Sequence, residues 1–81
     1  MRNMEQQKRL FVQVNAGEPF DIMFLNSDRI SQIKQKIFSR YGVSIEKQRL
    51  FYKETLLEDN DNIDKYEIND NDVIQLDIIQ S

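Results

Sequence analysis

Cysteine and histidine, the two side chains that most often carry protein chemistry, are both absent from this chain. Their absence removes thiol nucleophiles, disulfide staples, the usual zinc ligands and imidazole general bases together. Fourteen Asp and Glu remain, but carboxylates on polar loops are ordinary surface and pair with no nucleophile here. The chemistry left is that of recognition. Arg49, Phe51 and Lys53 alternate. On a strand, such alternation puts three side chains on one face. An aromatic residue beside arginine has the composition of an interface centre. Its positive flanks suit a partner with an acidic or apolar segment. A second set, Phe11 with Met23 and Arg9, offers an alternative partner face, and Phe51 with Arg49 is preferred over it. Singly exposed apolar residues are also ordinary on any protein surface. No cofactor, metal or small-molecule ligand is implied, and no enzymatic activity.

The elements that position these residues follow from periodicity. Residues 1–8 are polar and read as a flexible leader or linker, with 9–81 as one domain. Leu10, Val12 and Val14 alternate with Arg9, Phe11 and Gln13, a half-buried strand. Asn15–Glu18 supplies a turn, in which Gly17 can take the positive φ that a tight hairpin needs. Phe20, Ile22 and Phe24 alternate with Asp21, Met23 and Leu25 in a second strand. Pro19 at its start suits a sheet edge. Ser27 and Asp28 are candidate helix caps. Ile30, Ile33, Ile37 and Tyr41 then form one apolar stripe of a helix that Gly42 would end. A third strand covers Gln48–Lys53, Leu56 and Leu57 plug the core, and Ile63–Tyr66 makes a helical turn. The last strand is Val73–Gln80. The expected core is Leu10, Val12, Phe20, Ile22, Phe24, Ile30, Ile33, Ile37, Leu50, Leu57, Ile63, Ile68, Ile74 and Leu76. One helix across a mixed sheet is an α+β fold.

Charge is uneven along the chain. Residues 1–53 hold 10 Lys and Arg against 5 Asp and Glu, while 54–81 hold Lys65 alone against 9 acids. This describes either a dipolar surface that orients a partner or loops that merely accumulate acid. The net charge of −3 and the lack of any RNA-binding motif disfavour nucleic acid, despite Lys34, Lys36, Lys47, Arg49 and Lys53. No apolar run approaches the ~20 residues that span a bilayer, and no secretory signal is read, so cytoplasm or nucleus is expected.

The stretch Gln48-Arg49-Leu50-Phe51-Tyr52-Lys53-Glu54-Thr55-Leu56-Leu57-Glu58-Asp59 resembles the third strand and following turn of the ubiquitin-like family. The resemblance extends without a gap from about Arg9 to Ser81. It includes Leu10-Phe11-Val12, Gly17, the helix positions Ile30, Ile33, Lys34, Lys36 and Ile37, and Tyr66, whose hydroxyl ties down a loop in the family. It implies a β-grasp fold, with the first and last strands parallel at the centre of the sheet. It also implies the partner-binding positions of the family's exposed sheet face, here Asn15, Phe51, Gln75 and Asp77; only Phe51 keeps an apolar character. Covalent modifiers of the family end in arginine-glycine-glycine, whereas residues 78–81 read Ile-Ile-Gln-Ser, with no glycine after Gly42. The expectation is a non-conjugated ubiquitin-like domain that mediates protein–protein interaction. It would be a domain of a larger protein or a small subunit of an assembly, in the ubiquitin–proteasome system. The alternative is a modifier whose diglycine lies beyond residue 81.

Overall fold

Alternating apolar residues in three separate stretches need one common face to bury, and a single helix supplies the cover. In the computed structural model, which describes residues 6–15 and 17–80, β1 is Lys8–Val14 and β2 is Phe20–Phe24. They are followed by α1 (Ile30–Tyr41), β3 (Gln48–Tyr52), β4 (Thr55–Leu56) and β5 (Asp72–Ile78). Short 3₁₀ turns occupy Ile45–Lys47 and Ile63–Tyr66. The five strands form one sheet in the order β2-β1-β5-β3-β4. β1 and β5 run parallel at its centre, with Val12 opposite Ile74, and the other pairs are antiparallel. This is the α+β β-grasp arrangement. Of the expected leader, residues 1–5 lie outside the described residues, and Lys8 already belongs to β1, opposite Phe24.

Thirteen of the fourteen expected core residues are buried, and Tyr52 joins them. Phe20 is the exception. It begins an edge strand, stays half-buried and stacks on Tyr41, with ring centroids 3.9 Å apart. Leu56 and Leu57 do not enter the core together. Leu57, just past β4, is held to β3 by its N–H on the Leu50 carbonyl and is 2% exposed, whereas Leu56 is 43% exposed.

The helix begins differently from its sequence signal. Asp28 is not the cap. It is buried, accepting the Leu25 N–H at 3.0 Å and the Lys36 ammonium at 2.7 Å. Arg29 takes the capping position, and Gln32 Oε1 accepts the Arg29 N–H at 2.8 Å. The N–H groups of Ile30 and Ser31 donate to the carbonyls of Asp61 and Asp59. A distant loop thus satisfies donors that a helix start leaves open. The same loop supplies Asp59, whose carboxylate lies 2.6 Å from the ammonium of the buried Lys34. Tyr66 ties it further: its hydroxyl accepts the Glu58 N–H and donates to Asp61 Oδ2. Gly42 ends the helix in the left-handed conformation (φ 76°), its N–H donating to the Phe38 carbonyl. In the first hairpin the left-handed φ is recorded at Asn15 (φ 52°), a residue type that tolerates it. Gly17 closes that turn by donating its N–H to the Val14 carbonyl.

Tyr52 donates to Asp72 Oδ2 at 2.6 Å, and Asp72 also accepts the Asn69 N–H. The tyrosine's hydrogen bond, then that N–H, hold the Asp72 carboxyl below its ordinary range. Tyr52 is raised, first by the hydrogen bond to Asp72 and then by burial. A depressed carboxyl stabilises the fold above its unfolded pKa and loses that contribution as pH falls through the folded value. A raised tyrosine stabilises below its unfolded pKa and loses that contribution as pH rises through the folded value. The pair's contribution is therefore full between about pH 4 and pH 10. Urea midpoints measured against pH are expected to fall less steeply in acid for Asp72→Asn than for wild type; identical acid slopes would remove this role.

Candidate functional site

One edge of the sheet is covered and the other is short. Beside β2, residues four apart on α1 reach carbonyls two apart on the strand. Lys36 donates to Met23 O and Arg40 to Asp21 O, each at 2.8 Å. Four residues of helix rise ~6 Å and two of strand ~6.6 Å, so the two rows match in pitch. The opposite edge is β4, only two residues long. Covered and short edges leave little room for an added strand. The open surface is the sheet face turned away from α1.

Register fixes the neighbours on that face. Phe51 of β3 lies between Gln75 of β5 and Leu56 of β4. Gln75 is also opposite Gln13, and Phe11 is opposite Val73. Val73 and Leu56, exposed at 53% and 43%, extend the apolar surface around Phe51 and Phe11. Sequence reasoning missed both. Strand alternation was the available signal: Val73 precedes the buried Ile74, and Leu56 the buried Leu57.

Arg49 and Asp77 face each other across β3 and β5. Arg49 leans instead toward Phe51, its guanidinium carbon 6.0 Å from the ring centroid, at the limit of cation–π contact. Lys53 does not flank Phe51 as expected. The strand ends at Tyr52, and Lys53 (φ 49°) with Glu54 (φ 69°) forms the tight β3–β4 turn. Two positive φ values match the twist of a two-residue hairpin. They are strained for residues other than Gly, Asn or Asp, by about 1–2 kcal/mol each. Out of strand geometry, the Lys53 ammonium sits 5.2 Å from the centroid of the Tyr52 ring. Glu54 comes to the Phe51 side. Phe51, Glu54, Gln75 and Asp77 together line a shallow concavity of about 520 Å³. Asn15 lies past the end of β1 and does not line it; its carbonyl accepts a hydrogen bond from Gln13 Nε2.

The alternative set is less coherent. Phe11 and Met23 are not direct cross-strand neighbours: Phe11 faces Asp21, and Met23 faces Arg9. Arg9 also pairs with Asp21 at 3.4 Å. Among the described residues, no group of three or more acidic side chains converges to hold a metal ion. Among the described residues, no helix is long and apolar enough to cross a membrane. Residues 10–81 match the sequence model of a family described as the ubiquitin family.

Proposed function

This chain belongs to the ubiquitin family, and from that premise we propose that it is a non-conjugated ubiquitin-like domain that binds a protein partner through the outer face of its sheet. It serves as a domain of a larger protein or a subunit of an assembly, in the cytoplasm or nucleus, within the ubiquitin–proteasome system. The observation that carries this reading is Phe51 beside the exposed Leu56, with the exposed Val73 on the same face of the sheet, which α1 leaves uncovered between one covered edge and one short one. A large aromatic ringed by smaller apolar and polar side chains has the composition of an interface core and rim. The partner contributes an apolar segment to Phe51. Any acidic group on it meets Arg49 alone, because Lys53 is turned to Tyr52.

The second reading is a covalent modifier with its diglycine beyond residue 81. Incubating the product of the complete gene, including whatever follows residue 81, with ATP and ubiquitin-activating enzyme separates the two chemically. The expected result is no thioester adduct on a non-reducing gel. An adduct lost on adding thiol would overturn the non-conjugated reading.

A further inference from the structure

Taking the outer face as the partner surface, we infer that the concavity beside Phe51 is a receptor for a cationic side chain of the partner, with arginine the best fit. Three polar side chains line it with the Phe51 ring: Glu54, Gln75 and Asp77. None of the three makes a hydrogen bond or ion pair with another described residue. The absence is least expected at Asp77, because Arg49 stands directly across the strand pair. Arg49 nevertheless leans toward the Phe51 ring and leaves the carboxylate unneutralised. Lys53, the other nearby cation, is drawn away over Tyr52.

The concavity therefore offers two carboxylates without counter-ions, an amide and an aromatic wall. Each group has a role toward a guanidinium. Glu54 and Asp77 accept its N–H groups in charge-assisted hydrogen bonds, which are shorter and stronger than neutral ones. The carbonyl oxygen of the Gln75 amide accepts a further N–H. The face of Phe51 stacks on the guanidinium plane, which a lysine ammonium cannot do in the same way. Glu54 reaches this position through a left-handed turn residue. Gln75 and Asp77 share a face because they are two apart on β5. The partner segment this describes has an apolar residue for Phe51, Val73 and Leu56, with an arginine next to it.

The test uses N-acetyl-arginine amide as the probe and N-acetyl-glutamine amide as its neutral counterpart, followed by amide chemical shifts of the 81-residue chain. Saturable shifts are expected at Phe51, Glu54, Gln75 and Asp77 with the arginine probe alone, diminishing as salt is raised. Glu54→Gln and Asp77→Asn should each weaken binding about twofold to fivefold, the range for partly exposed ion pairs. Glu54→Gly is the informative companion. It relieves the left-handed backbone, so it should raise the unfolding midpoint while weakening the probe as much as Glu54→Gln does. Equal shifts with both probes, no saturation with arginine, or undiminished binding in Asp77→Asn and Glu54→Gln would overturn the inference. Its failure is separable from that of the partner surface. A partner lost with Phe51→Ala but bound normally by both carboxylate variants keeps the surface and removes the arginine receptor.

Discussion

Replacing Leu57 with alanine is expected to lower the unfolding free energy by about 2–5 kcal/mol, the range for truncating a buried leucine that leaves a cavity. Leu57 is 2% exposed in the core formed by the sheet, α1 and the 3₁₀ turn at Ile63–Tyr66. Its N–H donates to the Leu50 carbonyl at 2.8 Å, so its backbone is pinned and the site has little freedom to collapse. A domain of this size is stable by roughly 4–12 kcal/mol, so the loss is a large share of the whole. The neighbouring Leu56→Ala is the internal control. It removes an exposed side chain and should stay within about 0.5 kcal/mol of wild type. Urea denaturation monitored by circular dichroism measures both. A Leu57→Ala midpoint equal to that of wild type would mean that the chain after β3 packs differently.

Phe51→Ala is expected to carry the largest effect on partner binding, about 2 kcal/mol or more, or roughly thirtyfold in affinity. The expectation rests on position as much as on residue type. Phe51 has Gln75 on one side and Leu56 on the other, with Arg49 leaning toward its ring. Truncating it removes the aromatic wall and leaves the polar rim without a centre. Phe11→Ala should change affinity far less, because Phe11 faces the ion-paired Asp21 and lies nearer the covered edge of β2. Calorimetric titration with an isolated partner decides between them, after urea midpoints show both variants folded. Binding abolished by Phe11→Ala and untouched by Phe51→Ala would move the surface to the first hairpin.

The two carboxylates beside Phe51 show why the site was only half legible in the sequence. Asp77 is placed on the outer face by its family position, as one of the positions that lose the apolar character Phe51 keeps. Glu54 enters the sequence reading only within the stretch that resembles the third strand and following turn. Neither reading could join them, because the β3–β5 register and the left-handed turn bring them to one concavity. The same turn explains the misplaced Lys53. Strict alternation puts it beside Phe51, but alternation ends where φ becomes positive. Tyr52 was a miss of another kind. It follows Leu50 at the strand period and belonged in the core on that ground alone. Its hydroxyl hid this, because a buried phenol needs a partner, and the partner, Asp72, is 20 residues away.

Element order, most of the inward set of apolar residues and the end of the helix at Gly42 were legible from residue types and spacing. These rest on local physics: the period of a strand or helix decides which side chains can share a face, and a left-handed residue stops a helix wherever it occurs. Tertiary structure decided what depends on distant neighbours. Loop carbonyls at Asp59 and Asp61 complete the start of α1. Asp28 turns inward to hold Lys36, and Lys36 and Arg40 close the β2 edge. Asp77 makes no ion pair although an arginine stands across from it. Each of these depends on how groups from different elements are brought together or held apart. Whether a charge or a backbone donor finds its partner is set by the distances folding creates, and no local pattern of residues encodes those distances.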